Sequence, residues 1–252
     1  MADDVTVDLD EHIATVEIHR PPNNFFDVPL IQALAEAVLG LDDDPACRVV
    51  VLCAEGKNFC AGADLGPDSD LVDATADLYA EAVRIYSARK PIVAAVQGAA
   101  VGGGLGLALA ADFRIASPET TFRCNFARLG FHQGFGISAS LPAVVGQQRA
   151  LELLYTGGQV KGQEALAIGL ADRCVPADEL RGAARAFAAD IAAAGPLAVL
   201  AIKETMRGDL AARIQAVTAR EHEAQQALRA TGDFAEGVRA TGERRTPEFR
   251  GE

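Results

Sequence analysis

Backbone amide groups are the main chemical feature of this sequence, because two glycine-rich segments each follow an apolar run typical of a strand. Gly102–Gly104 separates the run Ile92–Val96 from a Leu/Ala-rich helix, and Gly56–Gly66 follows Val49–Leu52. Unpaired N–H groups at such a helix N-terminus favour an anion, and glycine lets a ligand approach the backbone closely. Both segments leave strand ends, so two N–H groups can converge on one carbonyl oxygen as an oxyanion hole.

Two other interpretations of the second segment stay open at this point. The run Ile92–Ala111 holds twenty residues without a charge, which is long enough to span a bilayer. Five of the twenty are glycines and one is Gln97, and a buried strand and helix of an α/β core have the same hydropathy. The other interpretation is a glycine turn that serves packing alone.

Length and composition favour one large acidic domain. The 252 residues are half hydrophobic, and a net charge of −12 with a pI near 4.8 argues against a nucleic-acid or anionic-membrane surface. Five cysteines, an odd number with no CxxC pair, predict reduced thiols, and the acidic N-terminus has no signal-peptide pattern. We therefore expect a cytoplasmic protein without a metal centre.

The hydrophobic pattern predicts an α/β fold that is followed by helices. Val5–Leu9 and Ile13–Ile18 are typical of a hairpin, and the continuous apolar run Arg48–Leu52 is typical of a covered parallel sheet. Further strands are predicted at Phe113–Ala116 and Thr121–Arg123. The predicted helices are Pro29–Leu41, Tyr79–Arg89, Ala139–Val145, Gln148–Leu154, Gln163–Ile168, Asp178–Ala193, Leu197–Met206 and Leu210–Ala230. No element is predicted in the charged tail.

Three motifs resemble those of the crotonase superfamily, the enoyl-CoA hydratase/isomerase fold. They are FCAGADL at Phe59–Leu65, the run Val96–Ala116, and Ala127–Gly146, and the tail Arg244–Gly251 is similar to the family's ending. The resemblance covers nearly the whole chain. It implies an α/β spiral of β-β-α turns over residues 1–195, which holds the acyl-CoA site. Residues 196–252 are then a C-terminal helical region that serves oligomerisation and part of the coenzyme A site.

The same resemblance implies an acyl-CoA thioester whose carbonyl is held by two backbone amides. Matched residue by residue, these amides belong to Ala63 and Gly103, while Ala61, Asp64 and Leu65 fall where the family contacts coenzyme A. Taken alone, Asp64 also has a plain interpretation as a local helix cap. The implied partners are the thioester and other copies of the chain in a trimer or hexamer, without nucleic acid or membrane. Coenzyme A belongs to the substrate, and no separate cofactor is expected.

Three positions depart from the family's acid/base pattern. Hydratases of the family carry glutamates where this chain has Gly106 and Phe126, and related isomerases and dehalogenases carry an aspartate where it has Gly134. Water addition to an enoyl thioester needs groups that position the water and move its proton, each contributing roughly 10²–10⁴-fold. The departures predict a non-standard acid/base and, at Phe126, a more apolar acyl pocket.

His132 is the best candidate for the missing base, because imidazole titrates near neutral pH. A loop histidine also has a plain structural interpretation. The other candidates, each more simply interpreted as a solvated or packed side chain, are Gln133, Arg128, Cys124, Asp68 and Asp70.

Three functions stay open. The first, which we favour, is an enzyme that stabilises an enolate thioester in the oxyanion hole and takes its base from a non-standard residue. The second is a conventional enoyl-CoA hydratase, and the third is a protein that binds acyl-CoA without turning it over. Apolar faces on the predicted helices Ala139–Val145 and Gln148–Leu154 further predict that these helices form subunit contacts.

Overall fold

The computed structural model describes residues 4–64 and 75–252. Its strands, in chain order, are β1 (Val5–Asp10), β2 (Ile13–Ile18), β3 (Val49–Ala54), β4 (Ile92–Val96), β5 (Ala99–Val101), β6 (Phe113–Ala116), β7 (Thr121–Arg123), β8 (Gln159–Lys161) and β9 (Arg173–Cys174). Its helices are α1 (Val28–Asp42), α2 (Thr75–Tyr86), α3 (Gly103–Ala110), α4 (Ile137–Val145), α5 (Gln147–Thr156), α6 (Gly162–Ala167), α7 (Leu180–Ala192), α8 (Pro196–Arg207), α9 (Leu210–Arg229) and α10 (Gly232–Gly242). The predicted α/β class is confirmed.

The main sheet has the order β1-β2-β3-β4-β6-β9. Strands β1 and β2 form the predicted antiparallel hairpin, and the pairs from β2 onward are parallel. Alternate residues of β3 face two separate cores, since Val50 and Leu52 pack with α1 while Val49 and Val51 pack with α7. A strand covered on both faces needs apolar residues at every position, which explains the continuous apolar run.

A smaller sheet, β5-β7-β8, brings the two glycine segments together. Strand β5 was not predicted, because only three residues separate the turn at Gln97–Gly98 from the glycines at Gly102–Gly104. It pairs in parallel with β7 on one side, and an isolated bridge joins Cys60 to Ala100 on the other. The segment after β3 therefore lies beside the segment that leads into α3.

The charge-free run Ile92–Ala111 folds as β4, β5 and α3 rather than as one long helix. In the part of the chain that the structure describes, no single helix is long and apolar enough to cross a membrane. Among the described helices, α7 and the run Pro196–Arg229 reach the necessary length and apolar character only when taken together, with a bend of 103° between them.

The last helices pack back on the α/β core. Helix α9 lies against α2 and α4, and buries the face that carries Ile214, Thr218, Glu221 and Gln225. Helix α10 was not predicted. Thr231 caps it by accepting the Phe234 N–H at 3.2 Å, and the Asp233 carboxylate accepts N–H groups of the returning tail at Arg250 and Gly251.

Helix α8 has an exposed apolar face. It buries none of its residues, and Leu197, Ile202 and Met206 are 81%, 62% and 74% exposed. The prediction that α4 and α5 present such a face is wrong for Leu141 and Leu153, because both side chains are buried within the chain.

Candidate active site

The segment that follows β3 is held in place by backbone hydrogen bonds to β4 and β5. Phe59 N–H donates to the Gln97 carbonyl at 2.9 Å, and Cys60 N–H donates to the Ala99 carbonyl at 3.1 Å. Gly62 has a φ of 93°, and a Cβ there would lie 2.7 Å from the Val101 carbonyl oxygen. Only glycine therefore lets the chain pass β5 closely and place Ala63 beyond it.

The second glycine segment starts α3. Gly102 has a φ of 55° and precedes the helix, so that Gly103 is its first residue. The N–H of a first helical residue has no partner inside its own helix. Among the described residues, neither the Gly103 N–H nor the Ala63 N–H has a hydrogen-bond acceptor. The two residues predicted from the sequence thus both carry a donor available to a ligand.

Ala63 and Gly103 border one cavity of about 100 Å³. Its walls are mostly apolar, and Phe126 lies in them as the sequence predicted. The other apolar side chains of the wall belong to Phe26, Leu78, Val101, Leu129, Phe131 and Phe135. Among the described residues, the polar side chains of the wall are Tyr79, Asn125, Gln225 and Arg229. For comparison, an apolar cavity of about 150 Å³ holds one benzene ring.

Side-chain packing fills the space at Gly106, Phe126 and Gly134, the three positions that lack the expected acids. A Cβ at Gly106 would lie 2.7 Å from the Phe135 Cβ, which is closer than real Cβ contacts. The Phe126 ring is buried in the cavity wall. At Gly134, a side chain would run into the Tyr79 hydroxyl and lie 2.7 Å from the Gln225 amide nitrogen.

Tyr79 and Gln225 form a buried polar pair on the cavity wall. The Tyr79 hydroxyl donates to Gln225 Oε1 at 2.7 Å, and Gln225 Nε2 donates to the His132 carbonyl at 2.9 Å. Burial raises the pKa of the Tyr79 hydroxyl, so the phenol is neutral. The sequence did not single out either residue, since one lies on α2 and the other on α9.

The His132 side chain is not among the residues that line the cavity. Its Nδ1 lies 2.8 Å from the Gln133 carbonyl oxygen, which can only accept, so Nδ1 carries the proton and Nε2 is the atom that can take one. The loop around it is anchored by Glu221. That buried carboxylate accepts the Gly136 N–H at 2.8 Å and the Ser138 N–H at 2.9 Å, while burial raises its pKa.

The other residues predicted from the sequence differ in where they lie relative to the cavity. Ala61 lines the cavity, whereas Asp64 is exposed beside it. Leu65, Asp68 and Asp70 lie outside the described residues. Arg128 is exposed, with its Nε donating to the Thr156 carbonyl at 2.9 Å. Burial raises the pKa of the Cys124 thiol to about 12, so this cysteine is not a thiolate at neutral pH.

In the described part of the chain, no group of three or more His, Cys, Asp or Glu side chains is placed to hold a metal ion.

Comparisons with known proteins agree with this architecture. A crystal structure of an enoyl-CoA hydratase/isomerase from Pseudoalteromonas atlantica superposes with a TM-score of 0.87 at 30% identity, over 98% of this chain and 100% of the other. The chain is 35% identical to the (E)-benzylidenesuccinyl-CoA hydratase of Thauera aromatica, over 98% of this chain and 99% of that protein. It is 32% identical to a probable enoyl-CoA hydratase of Mycobacterium bovis, over 97% of each.

The fold and the sequence together define the class, which is an enzyme of the crotonase fold. The family model for enoyl-CoA hydratase/isomerase matches residues 8–252, and the chain belongs to that family. It is accordingly a lyase or an isomerase.

Proposed function

We propose that the protein binds an acyl-CoA thioester at this cavity and stabilises the enolate derived from it. The observation that carries the proposal is the pair of N–H groups at Ala63 and Gly103, which have no acceptor among the described residues and border one cavity. A thioester oxygen that accepts both N–H groups gains most when the α-proton leaves and negative charge moves onto that oxygen. Loss of one such donor typically costs about 10²–10³-fold in turnover.

Family membership supports coenzyme A as the carrier of the acyl group. The relatives named above act on CoA thioesters by their names, and we propose that Ala61 and Asp64 contact the coenzyme A portion here. The acyl group would enter the mostly apolar cavity beyond the two amides. Exclusion of water there strengthens the hydrogen bonds to a developing negative charge.

The proposed acid/base differs from that of a two-glutamate hydratase. Gly106, Phe126 and Gly134 offer no group that takes up a proton, and neighbouring side chains fill the space beside each glycine. His132 stays the predicted base, with Nε2 as its acceptor atom, and its ring would have to turn toward the cavity, which it does not line in this structure. Such a base would receive the α-proton while the two amides hold the enolate oxygen.

Two alternatives remain distinct from this proposal. Conventional hydration is favoured by the names of the relatives, and opposed by the residues at positions 106 and 126. In a protein that binds acyl-CoA without turnover, the two N–H groups would only hold the thioester carbonyl in place. The enolate proposal is favoured over the second alternative because preorganised donors help most where charge develops.

Deuterium exchange separates these possibilities. Protein incubated with butyryl-CoA in D₂O should exchange α-hydrogens, which mass spectrometry detects as added mass without any change in the acyl chain. Incubation with crotonyl-CoA should give little added water. In parallel, infrared difference spectra with a ¹³C-labelled thioester carbonyl should show a lowered C=O stretch on binding. Butyryl-CoA that binds without α-exchange would leave only the non-catalytic function.

We also propose that the chain assembles into a trimer or a hexamer through α8. The supporting observation is the exposed apolar face that Ile202 and Met206 form one helical turn apart; Leu197 is also exposed, on the opposite side of the helix. Apolar side chains grouped on one face normally mark subunit contacts. Light scattering at micromolar concentration tests the assembly, and a monomer would contradict it.

A further inference from the structure

Helix α2 contains two tyrosines, Tyr79 and Tyr86, whose hydroxyl groups have different surroundings. The Tyr86 hydroxyl lies in the core and donates to the Gly106 carbonyl at 2.9 Å. Tyr79 lines the cavity that Ala63 and Gly103 border, and its hydroxyl lies against Gly134, where the absence of a side chain leaves room for it. Tyr79 therefore belongs to the wall of a mostly apolar cavity, and its hydroxyl lies beside Gly134, another residue of that wall.

The direction of the Tyr79 hydrogen bond is determined by the groups around Gln225. The His132 carbonyl can only accept, so the Gln225 amide must turn its nitrogen toward it, at 2.9 Å. Gln225 Oε1 then faces Tyr79, and the phenol donates its single proton to that oxygen, at 2.7 Å. The Tyr79 hydroxyl then has no proton left for a ligand, and its oxygen keeps acceptor capacity, part of which the Phe135 backbone takes.

We propose that Tyr79 is a specificity-determining residue that accepts a hydrogen bond from a hydroxyl group on the acyl chain. Gln225 is the positioning residue that keeps the phenol in this accepting orientation. The inference rests on the proposed function, because the acyl chain must lie in this cavity. It adds a preference for acyl groups that carry a hydroxyl over saturated acyl groups and over those that carry a carbonyl at the same carbon.

The charge state of the pair agrees with this role. Burial raises the pKa of the Tyr79 hydroxyl, so its oxygen accepts as a neutral phenol rather than as a phenolate. Two charged groups also act on that pKa, since the carboxylate of Glu221 raises it and the guanidinium of Arg229 lowers it. Arg229 also lines the cavity, with its guanidinium 5.5 Å from the centre of the Phe131 ring.

Calorimetry with four probes tests the inference: butyryl-CoA, 3-hydroxybutyryl-CoA, 4-hydroxybutyryl-CoA and 3-oxobutyryl-CoA. The wild-type protein should bind one of the hydroxylated probes roughly 3- to 10-fold more tightly than butyryl-CoA, which is the range of one neutral hydrogen bond. Tyr79→Phe should abolish this preference by weakening the preferred hydroxylated probe to about the affinity of butyryl-CoA. A merely structural hydroxyl would instead weaken all four ligands together.

Two further variants make the test specific. Tyr86→Phe removes a buried hydroxyl from the same helix but not from the cavity wall, and should keep the preference. Gln225→Met is close in shape and frees the Tyr79 proton, so it should shift the preference toward 3-oxobutyryl-CoA. It also tests the inference on its own if Tyr79→Phe does not fold.

The outcomes separate the inference from the function on which it rests. Wild-type protein that binds butyryl-CoA without preferring any hydroxylated probe would overturn the inference and leave the proposed function standing. The same holds if Tyr79→Phe keeps the preference. Absence of binding for all four probes would remove both.

Discussion

The Phe135 side chain fills the space beside Gly106, so that a Cβ at Gly106 would lie 2.7 Å from the Phe135 Cβ. Both residues are buried. Gly106→Ala should therefore destabilise the protein by about 1–3 kcal/mol through overpacking. Gly182→Ala is the matched control, since Gly182 lies in α7 with no atom within 4 Å of the added Cβ. Urea unfolding of both variants measures the difference, and equal stabilities would contradict the packing at position 106.

The contact between Phe135 and Gly106 also limits which substitutions can introduce hydratase activity. Wild-type protein should hydrate crotonyl-CoA roughly 10³-fold or more slowly than a two-glutamate member of the family. Gly106→Glu with Phe126→Glu should not correct this, because Phe135 blocks the first carboxylate. Adding Phe135→Ala should raise the rate, as followed by loss of the enoyl thioester absorbance.

A matched variant controls for the space that these changes open. It carries Gln in place of both introduced Glu residues, together with Phe135→Ala, and should stay as slow as the wild type. Wild-type turnover at ordinary hydratase rates would show that the match of Gly106 and Phe126 to the glutamate positions is wrong.

The two glycine-rich segments could be found from the sequence, whereas the polar pair could not. Both segments follow apolar runs typical of strands, and the family resemblance then assigned the predicted amides to Ala63 and Gly103. Tyr79 and Gln225 are 146 positions apart and meet only because α9 packs on α2. Which residues of two helices face each other depends on tertiary packing, and no local pattern encodes it.

Short elements were the other part of the fold that could not be predicted. Strand β5 has three residues, and its pairing partners, β7 and Cys60, are distant in the sequence. Helix α10 is stabilised by contacts between Asp233 and the returning tail, which a charge pattern alone does not show. Long amphipathic helices and the covered strand β3 were predictable, because burial repeats along them at a regular spacing.

The buried Glu221 carboxylate should make stability depend on pH in a defined direction. Burial raises its pKa in the folded protein above the ordinary value of 4.5, so the folded state binds its proton more readily than the unfolded state. The contribution of Glu221 to stability is therefore largest below pH 4.5 and decreases as pH rises through the folded-state pKa.

Comparison with Glu221→Gln isolates this effect, because glutamine does not titrate. Urea unfolding at a series of pH values should show the wild-type advantage over the variant shrinking from pH 4.5 upward and then levelling off. A constant difference across that range would mean that burial does not perturb this carboxyl. An advantage that grows with pH would mean that hydrogen bonds from Gly136 and Ser138 outweigh burial.

Charges on the apolar face of α8 should dissociate the proposed assembly. Ile202→Asp combined with Met206→Asp places two carboxylates on the exposed face, and light scattering should show a shift toward monomer. Leu166→Asp is the control, because Leu166 is an exposed apolar residue on α6, away from that face. An unchanged mass for the α8 variant would place the subunit contact elsewhere.

Replacement of His132 tests the predicted base. Its Nε2 is free to take a proton because Nδ1 bonds to the Gln133 carbonyl, so His132→Ala should lower α-exchange of the true substrate by at least about 10²-fold. The affinity for the acyl-CoA should stay within a few-fold, since the ring does not line the cavity and the His132 carbonyl still holds Gln225. A variant with full exchange would remove His132 from the mechanism, and the search for the base would then turn to Asp68 and Asp70.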